Sequence, residues 1–276
     1  MASRIALKIG KYLALAALLT WSGLPVLLIL IGSFKTNRQI FAFPPSFVFT
    51  PVLDNYAKLT TAWPTFVESI VNSLVIACGA TALTVTSCCL AGYAYSRYQG
   101  RLLSASAFFL IFIRMLPPIV ITVPLFPAVN WLHLNDTHLL LILLYTAFYV
   151  SLGTLISKTF IDQIPRELDE AARVDGAGTM RVITTIIAPL AAPGLVAVGI
   201  FVFIFAWNEF VFAFIFASTE TRTGPLVISE MLGAIDGVEW GVLFAATTLQ
   251  LLPVLLFVVL ARRYIVAGLT AGSVKG

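Results

Sequence analysis

Six apolar runs, each long enough to cross a bilayer as a helix, leave this 276-residue chain few folds to choose from. They cover Tyr12 to Ile31, Phe66 to Ala94, Ala105 to Phe126, Leu139 to Ile156, Gly194 to Ala217 and Val242 to Leu260. About 20 consecutive apolar residues carry a helix across the roughly 30 Å of hydrocarbon in a bilayer. Lipid offers no hydrogen bonds, so each run has to satisfy its own backbone, and a helix does so within one segment. The composition agrees: 59% of residues are hydrophobic and only 11% charged, far from the averages of soluble domains. The fold class expected is therefore all-α, an integral membrane protein with six transmembrane helices forming one domain over residues 1–276.

Orientation follows from lysine and arginine. Arg4, Lys8 and Lys11 precede the first run, which is too long for a signal peptide and is followed by no small-residue cleavage site. It reads as an uncleaved span. With the N-terminus inside, twelve basic residues face the cytoplasm: Arg4, Lys8, Lys11, Arg97, Arg101, Lys158, Arg166, Arg173, Arg181, Arg262, Arg263 and Lys275. Four face outward, namely Lys35, Arg38, Lys58 and Arg222, while Arg114 lies within the third run. Both termini are thus expected in the cytoplasm.

The longest polar stretch between runs, Lys158 to Pro193, then lies on the cytoplasmic side. Pro165 suits the first turn of a helix, where its missing N–H costs nothing. RELDEAARVD is a run of helix formers, with Arg166 and Glu170 four apart, as are Asp169 and Arg173. That spacing predicts two ion pairs along the helix surface. Leu168, Ala171 and Ala172 fall on one side, and Gly176 predicts a left-handed stop. Thr179 is expected to cap a second helix with Met180, Ile183 and Ile187 on one stripe, ended by Pro189 and Pro193. The stretch reads as a bent helical hairpin built for docking. A helix-turn-helix on DNA is a poor alternative, because the four basic residues are outnumbered by Asp162, Glu167, Asp169, Glu170 and Asp175.

The spacing of Glu170-Ala171-Ala172, Gly176, Ile186 and Ala188-Pro189 resembles the EAA loop of binding-protein-dependent ABC-transporter permeases, a family that usually has Leu where this chain has Ala188. The tail from Gly268 to Gly276 looks like the C-terminal signature of maltose-type carbohydrate permeases, and Arg114 to Phe126 and Phe205 to Phe210 are similar to segments of sugar permeases. The resemblance covers most of the chain. It implies the type I fold of ABC importer permeases and a bacterial or archaeal cytoplasmic membrane. It also implies a permease subunit forming half of the pathway for a sugar or sugar derivative. The partners implied are a second, related permease chain, two ATP-binding subunits and an extracytoplasmic solute-binding protein. ATP and Mg would sit on the partner ATPase, with no cofactor in this chain. Glu170, Ala171, Ala172, Asp175, Gly176 and Pro189 would couple to that ATPase, and the tail would reach it.

Nothing else in the chain reads as catalytic. No G-x-x-x-x-G-K-[ST] phosphate loop occurs, so energy has to come from elsewhere. No Ser/His/Asp constellation is visible, and the chain is expected to be a transport subunit rather than an enzyme. His133 and His138 have no cysteine or carboxylate at ligand spacing, which predicts interfacial histidines and no metal site. Cys78, Cys88 and Cys89 read as small buried hydrophobes. Ionisable residues inside the runs need a reason, since an arginine at a bilayer centre costs about 2.5–3.5 kcal/mol on insertion scales. Arg114, and Glu209 beside Trp207 and Asn208, are therefore candidates for the substrate pathway, an aromatic with an amide and a carboxylate being suited to a polyol. An interhelical polar clamp is the other reading of these residues, and Asn72 and Ser73 read as helix–helix glue. Two rivals remain at this point. An ion-coupled secondary transporter would use Arg114 and Glu209 as a pair but leaves the docking segment idle. A non-transporting scaffold would not need the polar cluster.

Overall fold

The computed structural model describes residues 2–46, 48–235 and 237–271, with side chains for 7–259 apart from 47 and 236. Every regular element among them is a helix. In chain order these are α1 (Ala2–Gly32), α2 (Asn37–Ile40), α3 (Asp54–Ala62), α4 (Thr65–Arg97), α5 (Arg101–Arg114), α6 (Pro118–Trp131), α7 (His138–Ile161) and α8 (Glu167–Val174). Then follow α9 (Thr179–Val182), a π-helical turn (Ile183–Ile187), α10 (Ala188–Leu190), α11 (Ala192–Trp207), α12 (Val211–Phe216), α13 (Gly224–Leu232) and α14 (Trp240–Ala271). The expected tail, Gly268 to Gly276, lies outside the described residues from 272 onward.

Among the described residues, four helices are long and apolar enough to span a membrane unbroken: Leu7–Gly32, Thr65–Arg97, His138–Ile161 and Trp240–Val259. The third expected run is α5 and α6, bent by 103° at Met115 to Pro117. Proline explains the break. Pro117 and Pro118 lack N–H groups, and each disfavours helical backbone in the residue before it. The fifth run is also interrupted, which its composition did not predict. Helix α11 stops at Trp207 and α12 resumes at Val211. The fourth run is longer than read, because α7 continues through Lys158 to Ile161 and the docking segment begins only at Asp162. The polar loops also hold helices: α2 and α3 lie between the first two spans, and α13 between the last two.

The described residues divide into two compact units, Met1–Val67 with Val227–Leu252, and Glu68–Leu226 with Pro253–Gly276. In the first, Thr36 and Gln39 form a reciprocal capping box at the start of α2. The Asn55 amide donates to Ser33 O and Lys35 O, both at 2.8 Å, and so ties α3 to the end of α1. Much of α1 is apolar and exposed, including Leu18, Leu19 and Trp21.

The second unit holds the main core. Tyr145 and Tyr149 of α7, Phe203 and Trp207 of α11, and Phe212 and Phe216 of α12 pack with Ile76, Ala77, Ala80 and Cys88 of α4. Phe203 stacks on Trp207 at 6.0 Å and on Phe257 of α14 at 4.1 Å. Small residues let helices approach where lipid supplies no hydrophobic drive. Cys88 and Cys89 are buried as expected, but Cys78, ten residues earlier in α4, is exposed.

Candidate functional site

A second, smaller core seats the docking hairpin: Cys89 and Tyr93 of α4 with Ile161, Ile164, Ala172, Val182, Ile183, Ile187, Ala191 and Leu195. Helix α8 turns Asp169 and Ala172 inward. Its other side, with Glu167, Leu168, Glu170, Ala171, Val174 and Asp175, is exposed, Val174 by 88%. Leu168 and Ala171 therefore do not share the buried side with Ala172, as the sequence suggested. The helix ends on Gly176 at φ +82°, a conformation that an L side chain strains. The Ala177 N–H bonds to Ala172 O at 2.9 Å and the Gly176 N–H to Arg173 O at 3.0 Å. These are the paired bonds of a Schellman stop.

Downstream, the expected Thr179 cap does not form, since Gly178 holds the cap position with no side-chain bond. Met180 is 59% exposed, and Val182 takes the inward place beside Ile183 and Ile187. The π turn answers Pro189. Proline has no N–H for the Thr185 carbonyl and its ring crowds that oxygen. The Ala188 N–H reaches back five residues to Ile183 O instead.

Neither ion pair expected along α8 forms. Asp169 bonds through Oδ2 to Arg97 Nε of α4 at 2.7 Å, with the two side chains 8% and 7% exposed. Arg97 also donates to Ser96 Oγ at 3.1 Å, Ile161 O at 3.4 Å and Ile164 O at 3.0 Å. Arg166 donates to Ser96 O at 2.9 Å, and Arg173 to the Tyr93 and Tyr98 hydroxyls at 3.3 and 3.5 Å. Through-space partners win because burial strips water from the charges, and surface pairs four apart on a helix contribute only about 0.2–0.5 kcal/mol. Sequence reading counted Arg97 for orientation alone and missed this role.

At the interruption of the fifth span, Asn208 ends α11. Its Nδ2 donates to Ile204 O at 2.7 Å, competing with the backbone ladder, and the residue is exposed. Glu209 is buried and accepts from the Phe212 N–H at 3.0 Å and the Ala213 N–H at 3.4 Å, so it caps α12. Trp207 is 1% exposed. Arg114 does not pair with Glu209. Its guanidinium lies over the Phe148 ring at 4.7 Å and the Tyr149 ring at 5.6 Å. Beside it, the α5–α6 bend opens an apolar groove of 440 Å³ lined by Ile113, Leu116, Pro124, Leu144, Phe148 and Phe212.

Sequence reading missed the centre of a third cluster. Asp136, at φ +55°, accepts from the N–H groups of Ser218, Thr219, Glu220 and Thr221 at 2.8–3.0 Å, and from the Ser218 and Thr221 hydroxyls. Burial alone would raise this carboxyl. The backbone and hydroxyl donors outweigh it and hold the group well below the usual carboxylate range. Asn72 donates to Glu220 O and Arg222 O, His138 Nε2 meets Asn72 Oδ1 at 2.8 Å, and Ser73 Oγ accepts from the Gly224 N–H. So Asn72 and Ser73 hold a loop, not only a neighbouring helix. The one local signal was Asp before Thr and His, a residue type that tolerates positive φ. Among the described residues, no cluster of His, Cys, Asp and Glu could hold a metal ion.

Comparison with known proteins agrees with this architecture. The family described as the binding-protein-dependent transport system inner membrane component matches residues 85–270. The trehalose/maltose transport system permease protein MalG of Thermococcus litoralis is 36% identical over 249 residues, covering 86% of this chain and 88% of its own. The sulfoquinovosyl glycerol transport system permease protein SmoH of Agrobacterium fabrum is 32% identical over 268 residues, covering 96% and 93%. Among solved structures, a bacterial ABC transporter that imports the acidic polysaccharide alginate shares the fold. Its TM-score is 0.78 at 17% identity, over 96% of this chain and 98% of that one.

Proposed function

The chain belongs to the family of binding-protein-dependent transport system inner membrane components, and from that premise we propose that it is one permease subunit of an ATP-driven sugar importer. It forms half of a translocation pathway in the cytoplasmic membrane, with both termini and the docking hairpin inside. A related permease supplies the other half, a solute-binding protein delivers the sugar, and two separate ATPase subunits carry ATP and Mg. The chain itself hydrolyses nothing. The names of its relatives, which include trehalose/maltose and sulfoquinovosyl glycerol permeases, support a glycoside as cargo.

The observation that carries the coupling part is the division of α8 into a seated side and a bare one. Asp169 and Ala172 are buried, while Leu168, Glu170, Ala171 and Val174 face outward, an apolar strip with acidic edges suited to a cleft on a partner. ATP closes the ATPase pair, the hairpin follows, and the permease pair switches from inward- to outward-facing. ATP drives the change because it binds one of the two states better. For the pathway, Asn208, exposed at the break, is assigned to sugar contact, with Trp207 and Glu209 shaping the break and Arg114 lying beside its own bend. The absence of an Arg114–Glu209 bond removes the motive for an ion-coupled carrier built on that pair.

Binding-protein-dependent uptake of labelled trehalose and maltose, measured with the co-purified ATPase, tests the reading. Gly176→Val forces a β-branched residue into positive φ, at roughly 1–2 kcal/mol, and misaims the hairpin. It is expected to insert normally, then either lose the ATPase on purification or hydrolyse ATP without uptake. Wild-type uptake by this variant would end the coupling assignment.

A further inference from the structure

We infer that Arg97 is a positioning residue that joins docking helix α8 to the last turn of α4. A displacement of α8 then reaches the second span directly, and not only through α7 and α11, the helices on either side of the hairpin in sequence. The inference rests on the proposed docking role of α8 and adds the route by which its motion travels.

One side chain ties three segments. Arg97 sits in the final residue of α4, donates to Ile161 O at the end of α7 and to Ile164 O in the linker, and pairs with Asp169 inside α8. The planar guanidinium presents its N–H groups in a fixed fork, so these bonds set direction as well as distance. Both partners of the pair are more than nine-tenths buried, out of reach of salt screening. Three further bonds flank it, one from Arg166 to Ser96 O before α8 and two from Arg173 to the Tyr93 and Tyr98 hydroxyls near its end. All three acceptor residues, Ser96, Tyr93 and Tyr98, belong to α4 or the residue after it. Beneath them, Cys89 and Tyr93 share an apolar core with Ala172, Val182 and Ile183.

Close packing continues the unit upward. A Cβ on Gly92 would lie 2.9 Å from Ser157 Cβ and 3.0 Å from the Lys158 nitrogen, so α4 and α7 meet backbone to backbone just above the hairpin. A buried ion pair is weak as a source of net stability, since well-packed apolar residues often serve as well; fixing one register is its better attested use. That distinction makes the inference testable.

The test uses the whole importer in proteoliposomes, and reads sugar transported per ATP hydrolysed. Arg97→Met with Asp169→Leu removes both charges together and leaves neither stranded. This double variant is expected to assemble and hydrolyse ATP, while the ratio falls at least about tenfold, within the range of ordinary site-to-site couplings. Arg97→Lys, which keeps the charge and loses the fork, is expected to fall between. A double variant that assembles with the wild-type ratio overturns the inference, because a merely structural pair would behave so. If the double variant does not assemble, spin labels at Gln99 and Glu167, both exposed and outside the docking strip, decide in an otherwise native complex. One distance distribution shared by the nucleotide-free and ATP-bound states supports a rigid unit, and two distributions overturn it. Leu168→Asp, on the outward side of α8, tests the docking reading separately. If it uncouples and the double variant does not, only the Arg97 inference falls. If it leaves the ratio intact, the docking reading falls and takes this route with it.

Discussion

Helix α7 runs between two anchors of opposite sign. Before its first residue, Asp136 gathers the N–H groups of Ser218 to Thr221; at its last residue, Ile161 O accepts from Arg97. An anion at the N-terminal end and a cation at the C-terminal end both suit the helix dipole. The anchors differ in what answers the charge. Arg97 meets an opposite charge on another helix, out of water, so both ends of the bond are side chains and both are committed. Asp136 is half-buried and is answered by neutral donors, four backbone N–H groups and the Ser218 and Thr221 hydroxyls, so it shapes the loop whatever side chains Thr219 and Glu220 carry. One device fixes two helices to each other. The other fixes the course of a chain and leaves the Thr219 and Glu220 side chains exposed for contact.

The largest effect expected from this contrast is at the ion pair. Asp169→Leu strands a buried guanidinium and should cost about 3–5 kcal/mol, read as thermal stability of the assembled complex. Adding Arg97→Met should return most of that loss. Equal destabilisation by the single and double changes would mean that the anchor is packing and not charge.

Asp136→Asn keeps the shape but removes the charge and one acceptor oxygen. Hydrogen bonds to charged groups contribute about 1.5–3 kcal/mol, so a loss in that range should appear as faster amide exchange at Ser218 to Thr221. The pH dependence sharpens the point. Because the folded carboxyl is depressed, its stabilisation is complete above the unfolded aspartate value of about 3.9 and disappears as pH falls through the lower folded value. Loop protection should therefore stay level from pH 8 to pH 5 and erode only in strong acid. Erosion well above pH 5 would show that Asp136 is not the controlling group.

The smallest effect expected is Asn72→Ala. It removes neutral bonds to Glu220 O and Arg222 O, worth about 0.5–1.5 kcal/mol. Exchange at Thr221 to Thr223 should rise less than in Asp136→Asn. The reverse order would show that the amide, not the carboxylate, dominates the clamp.

Much of this fold was legible before any coordinates. The apolar runs, the prolines at 117 and 118 and the Gly176 stop are local signals, and each acts within a few residues of where it is written. The break at Asn208 was harder to see, because WNEF is nearly as apolar around its polar pair as the rest of the span. Only the capping of α12 by Glu209 reveals it. The expected Arg166–Glu170 and Asp169–Arg173 pairs failed for a similar reason. Spacing by four makes them possible, but it says nothing of rival partners on α4.

By itself, then, the sequence determined that this chain is helical, that it carries apolar runs long enough to span a membrane, and that a polar hairpin with a glycine stop separates the fourth run from the fifth. Hydrophobic length and backbone sterics act along the chain and need no partner. The tertiary structure alone decided that Asp169 answers to Arg97, that Glu209 caps a helix while Arg114 rests on aromatic rings, and that Asp136 gathers a loop more than 80 residues away. Buried polar groups take whichever partner the fold brings within about 3 Å once water is gone. Which partner that is depends on how the helices pack, and packing is written in no single stretch of the chain.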